Sequence, residues 1–97
     1  MVQTVNSETL STGQQKILIE KPHTLCRIFF SIRALAPPDA WCESWLSFDD
    51  PTFYSYYILA GHLKYFEAKG EGIFQGNVWV RNISGTDVVY TAAETLI

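Results

Sequence analysis

The sequence predicts an all-β chain: one antiparallel β-sandwich or jelly-roll-like domain of about eight short strands. Three observations point there. Short runs of β-branched and aromatic residues recur through the 97 residues, and such residues favour a pleated, half-buried surface. Turn-forming Gly, Pro, Asn and Asp clusters interrupt them at intervals of roughly 8–12 residues, the spacing of two-sheet sandwiches and small barrels. No stretch carries a convincing helical period, and a short helix within residues 49–59 is the main alternative.

In chain order, residues 1–10 are polar and weakly β, an edge strand or an arm reaching to a neighbour, and residues 11–97 form the sandwich proper. Gln14 to Glu20 alternates Ile17 and Ile19 against Lys16, Leu18 and Glu20, and Pro22 ends it because proline cannot donate to a ladder. Thr24 to Ala34 is the clearest strand. Its alternation places Cys26, Ile28, Phe30 and Ile32 in the core and Leu25, Arg27, Phe29, Ser31 and Arg33 on the other face. Trp41 to Phe48 sets Cys42, Ser44, Leu46 and Phe48 against Trp41, Glu43, Trp45 and Ser47, and Asp49-Asp50-Pro51-Thr52 turns the chain. Phe53 to Leu59 and His62 to Ala68 read as two more strands around Ala60-Gly61, the second with Leu63 and Tyr65 opposite His62, Lys64 and Phe66. Lys69-Gly70-Glu71-Gly72 is a turn, and Ile73-Phe74-Gln75 a short bridging strand.

The remainder, Gly76 to Ile97, reads as a β-hairpin around which the other strands gather. Val78 and Val80 share one face, Trp79, Arg81 and Ile83 the other. Asn82 to Asp87 is the turn, where Gly85 is free to take positive φ, and Val88 to Ile97 returns. Asn82-Ile83-Ser84 matches a glycosylation sequon, but no signal peptide accompanies it, so turn chemistry is the better account.

Composition narrows the function. Charged residues are 18% against 47% apolar and 14% aromatic, whereas a typical domain carries about 25% charge. Apolar surface left exposed on a small domain implies a protein partner. The net charge of −3 and the scatter of the seven basic residues exclude the basic stripe that nucleic-acid binding needs. No apolar run reaches membrane-spanning length. Cys26 and Cys42 read as free buried thiols; a disulfide between them requires their strands to pair, and the two histidines make a poor metal set for a cupin-like enzyme.

No catalytic constellation is visible and no cofactor is expected. Glu43, Glu67, Glu71 and Glu94 show no general-acid/base pairing. Asp39, Asp49 and Asp50 lack a calcium-loop context. Gly70, Gly72 and Gly76 lack the strand-to-helix setting of a phosphate loop. The expected interface anchors are Phe29, Trp45, Tyr57 and Trp79, since large aromatics dominate interface energetics. The alternative is a carbohydrate- or receptor-binding module with a glycan stacked on Trp41, Trp45, Tyr54 and Tyr56.

The polar opening Val2-Gln3-Thr4-Val5-Asn6, the segment Gly76 to Gly85 and the ending Ala93-Glu94-Thr95-Leu96-Ile97 give the chain the style of known phage components. It resembles the small β-sandwich structural proteins of tailed bacteriophages that decorate heads or serve as tail and fibre accessories. That resemblance implies a virion subunit made in the host cytoplasm. It would form homo-oligomers or coat a larger shell or tail, without catalysis. No functional residue transfers from it.

Overall fold

The computed structural model describes residues 2–38, 42–49, 52, 54, 56–67 and 75–97. They form eight strands and no α-helix: β1 (Val2–Leu10), β2 (Gln15–Ile19), β3 (Arg27–Leu35), β4 (Ser44–Phe48), β5 (Tyr56–Ile58), β6 (Leu63–Glu67), β7 (Val78–Asn82) and β8 (Val88–Leu96). Two antiparallel sheets result, one in the order β1-β8-β3-β6 and the other in the order β2-β7-β4-β5. Strand 1 thus pairs with 8, 2 with 7, 3 with 6 and 4 with 5. This is a long four-rung hairpin rolled up on itself and closed by the β3–β8 and β4–β7 pairings, the jelly-roll wrapping of a β-sandwich.

Alternation then sorts the side chains. Leu10, Phe30, Ile32, Ala34, Val88, Tyr90 and Ala92 from the first sheet meet Leu18, Leu46, Phe48, Ile58, Val78 and Val80 from the second in one dry core. The β5–β6 margin is closed by aromatic rings. Phe66 packs edge-on against Phe48 and Tyr56, with centroids 5.2 and 4.8 Å apart, and Phe30 lies behind them. The Lys64 amine sits 5.9 and 5.8 Å from the Tyr56 and Phe66 ring centroids and donates to the Tyr57 carbonyl at 3.0 Å. Phe66 and Lys64 therefore face inward on β6, while Leu63 and Tyr65 face out.

The structure corrects the hairpin. β7 and β8 lie in different sheets, so residues 83–87 form an arch that carries the chain across the sandwich. Asn82 explains why. Its side chain is fully buried, donates to the carbonyls of Leu10 (2.9 Å) and Thr86 (3.0 Å) and accepts the Ser84 N–H (2.8 Å). The Ser84 hydroxyl accepts from the Glu43 N–H at 2.7 Å and lies 2.9 Å from the Glu43 carbonyl, which also takes the Ile83 N–H at 3.1 Å. These bonds tie the turn to the neighbouring strand ends. Among the described residues, positive φ at glycine occurs at Gly13 and Gly61, not at Gly85. A buried Asn82 amide is turn chemistry, as the sequence suggested.

Two bulges also shift the expected phase. Ile28 is an extra residue between the Arg27–Leu96 and Phe29–Thr95 pairs. It turns Arg27 inward and leaves Cys26 exposed, against the expected alternation. The buried Arg27 is fully satisfied: Nε donates to Glu94 Oε2 at 2.6 Å, Nη1 to the Gly76 carbonyl at 2.8 Å and Nη2 to the Glu20 carbonyl at 3.2 Å. Glu94 is itself only 4% exposed and lies on the neighbouring strand of the same sheet, so the tie between the two sheets at this end is made by the Arg27 bonds to the Gly76 and Glu20 carbonyls, next to β7 and β2. On β2 a second irregularity between Ile17 and Ile19 buries Leu18 and Ile19 together.

The opposite end is neutral. The Tyr90 hydroxyl on β8 hydrogen-bonds the Ser44 hydroxyl on β4, across the sandwich. Burial pushes the Tyr90 phenol up to about 12, against the lowering effect of that bond. Both cysteines are free, with Cys42 half-buried. Asp39, Trp41, Asp50, Phe53 and the segment from Ala68 to Phe74 lie outside the described residues.

Candidate functional site

The outer face of the β1-β8-β3-β6 sheet is built by the side chains that alternation turns away from the core. The pairings align them in rows: Gln3, Thr95, Phe29 and Glu67; then Val5, Ala93, Ser31 and Tyr65; then Ser7, Thr91, Arg33 and Leu63; then Thr9, Val89 and Leu35. Val5 is 68% exposed and Tyr65 59%, and Leu35, Leu63 and Val89 are exposed beside them. Small side chains keep the middle of the face low. Ser31, Thr91 and Ala93 leave a shallow depression of about 310 Å³ between Arg33, Leu35 and Leu63. Phe29 borders the face, its ring 5.4 Å from that of Tyr65. Arg33 is exposed and makes no ion pair among the described residues.

The outer face of the other sheet carries the remaining expected anchors in a different state. Trp45 and Tyr57 are directly opposed on β4 and β5, edge-to-face at 5.3 Å, and Trp45 Nε1 donates to Glu43 Oε1 at 3.3 Å. Trp79 stands between Ile17 and Ser47 in the adjoining row. The Tyr54 hydroxyl donates to Gln15 Oε1, on the far edge strand, at 3.1 Å. Trp45, Tyr57, Trp79 and Tyr54 are all half-buried by these neighbours within the subunit.

The structure thus divides the four expected interface residues, with Phe29 on one outer face and Trp45, Tyr57 and Trp79 on the other. Of the glycan-stacking set, Trp45 faces outward, Tyr56 packs on Phe48 and Phe66 at the inner margin, and Trp41 lies outside the described residues. The exposed set Val5, Leu35, Leu63, Tyr65 and Val89 was missed by sequence reasoning. The signal that could have found Tyr65 was the alternation of β6, read with the lysine as a cap on the inner rings rather than as a marker of the solvent side. Both histidines are exposed, and among the described residues no three His, Cys, Asp or Glu side chains converge to hold a metal.

Fold and surface together define a jelly-roll β-sandwich with one face sealed by its own aromatics and one left open. No protein-family model matches the sequence, and no curated protein matches it. Among the described residues no helix is long and apolar enough to cross a membrane.

Proposed function

We propose that the chain is a non-enzymatic structural subunit that works by protein–protein contact through the outer face of the β1-β8-β3-β6 sheet. The observation that carries this reading is that Val5, Leu35, Leu63, Tyr65 and Val89 all stand exposed on one sheet face, with Leu35 and Leu63 lining a depression floored by small residues. Large apolar side chains left exposed together on one face mark interaction sites. A low central strip flanked by Tyr and Leu offers a pocket for a protruding apolar side chain of a partner, the usual form of a hot spot.

The partner class is further copies of this chain or the subunits of a larger shell. The jelly-roll wrapping occurs in viral capsid proteins, lectins and cupins alike, so the wrapping by itself does not choose a function. The likeness of the sequence to head-decoration and tail-accessory proteins of tailed bacteriophages favours the first of these, a virion component.

The test is sedimentation of the untagged protein over a range of concentrations, for the parent and Tyr65→Lys. The parent is expected to assemble well beyond its 11.0 kDa subunit. A lysine in the middle of a desolvated contact is expected to weaken that assembly by roughly 30-fold or more, the scale of a hot-spot loss. Assembly of Tyr65→Lys indistinguishable from that of the parent would overturn this reading.

A further inference from the structure

Four described strands are sheet edges: β1 and β6 in one sheet, β2 and β5 in the other. Edges invite pairing with another chain, and proteins blunt them with short length, charge, proline or a bulge. Three of these four are blunted. β5 has three residues, β2 has five with Lys16 and an irregular register, and β6 has five with Lys64 and Glu67. β1 is different. It runs nine residues in unbroken register, with no proline, no lysine and a single charge, Glu8.

The direction of its free backbone groups follows from the next strand. Cys26 and Ile97 exchange both backbone hydrogen bonds, each 2.9 Å, so Ile97 and the alternate residues before it on β8 bond toward β3. The even-numbered residues of β8 therefore bond toward β1, where they face Val2, Thr4, Asn6, Glu8 and Leu10. Gln3, Val5, Ser7 and Thr9 point their N–H and C=O groups outward from the sheet edge. All four are solvent-exposed.

We propose that β1 is a pairing edge for β1 of a second copy, antiparallel about a two-fold axis at Asn6. This deepens the assembly reading above and rests on it. The register follows from using every free group. It opposes Gln3 to Thr9 and Val5 to Ser7, so four hydrogen-bonded residue pairs join the two strands. The same register places each Glu8 opposite the other copy's Thr4, so no like charges meet. Glu8 Oε2 is buried without a hydrogen-bond partner within the subunit, and its nearest cation, Lys16 Nζ, stands 3.9 Å away. The Glu8 side chain as a whole is 33% exposed, and the second copy's Thr4 hydroxyl lies beside it on the same face. Pairing fuses two four-stranded sheets into one of eight, with the two apolar outer faces continuous and Val5 near the seam.

The experiment combines Ser7→Pro and Tyr65→Lys in sedimentation, with far-UV circular dichroism and urea midpoints to confirm folding. Proline is tolerated on an edge strand where its missing N–H faces outward, so Ser7→Pro is expected to fold. It removes a donor at two symmetry-related places and should weaken edge pairing by roughly 100-fold. Each single variant is expected to retain one contact and stop at a smaller species than the parent, and the double variant to sediment at 11.0 kDa. Amide exchange on the parent gives an independent readout. Raising its concentration should slow exchange at Gln3, Val5, Ser7 and Thr9 by roughly tenfold or more, by removing open-edge states. Assembly unchanged in Ser7→Pro, with unchanged exchange at those four amides, would overturn the edge and leave the face standing. A parent that remains at 11.0 kDa at every concentration would overturn both.

Discussion

The two outer faces of this sandwich are made from similar materials and end in different states. On the β2-β7-β4-β5 sheet, the bulky residues Trp45, Tyr57 and Trp79 are half-buried, Trp45 packed on Tyr57 and Trp79 set beside Ile17, while the Tyr54 hydroxyl reaches Gln15 on the edge strand. On the β1-β8-β3-β6 sheet, Tyr65, Leu63, Leu35 and Val5 stand among Ser, Thr and Ala residues too short to cover them. Aromatic content alone does not mark an interaction face. What matters is whether the same subunit supplies the neighbours that bury it. The first face spends its apolar surface on its own stability, and the second leaves it exposed, as the proposed assembly role requires.

The largest expected effect strikes the frame that holds both faces in place. Arg27→Met leaves Glu94 buried without its partner, and such a break costs about 3–5 kcal/mol. Urea unfolding should show it as a lower midpoint. Replacing both members, Arg27→Met with Glu94→Leu, should recover much of the loss, because a matched apolar pair carries no desolvation penalty.

Alkaline pH probes the other end of the frame. The Tyr90 phenol, at about 12 in the folded protein, lies above its unfolded value of about 10. A raised acid holds its proton more tightly when folded, so this stabilisation is complete below pH 10 and is lost as pH rises through 12. The two-unit shift corresponds to about 2–3 kcal/mol. Unfolding free energies measured from pH 9 to pH 12 should fall by that order, and by less in Tyr90→Phe, which has no phenol to ionise.

The two faces can then be compared directly by truncation. Trp79→Ala removes a ring packed within the subunit and should cost about 2 kcal/mol of unfolding free energy. Tyr65→Ala, measured on dilute monomer, should fall within about 0.5 kcal/mol of the parent. A Tyr65 variant as damaging as the Trp79 variant would remove the distinction between sealed and open faces.

Much of the fold was legible from residues alone. The strand cores Phe30-Ser31-Ile32 and Val78-Trp79-Val80 alternate as half-buried strands must, and the structure buries Phe30, Ile32, Val78 and Val80 together as their shared phases imply. The failures have local physical causes. A turn-rich stretch between two strands has the same composition whether it closes a hairpin or arches between sheets. Only the buried Asn82 side chain, bonded to Leu10 far away in the chain, separates the two. A bulge inverts phase without changing composition, so an arginine on the polar side of an alternation became the most deeply held cation of the core. The open face was hidden for a related reason. Its rows draw on β1, β8, β3 and β6, which only the wrapped topology brings together.

The measurement that tests the central claim most directly is a matched pair of substitutions, Tyr65→Lys and Tyr57→Lys, compared with the parent by sedimentation velocity. Each places the same new charge on an outer face, one open and one sealed. The account predicts that Tyr65→Lys loses assembly by roughly 30-fold or more while Tyr57→Lys assembles as the parent does. Loss of assembly with Tyr57→Lys and not with Tyr65→Lys would contradict it, and would place the contact on the β2-β7-β4-β5 face.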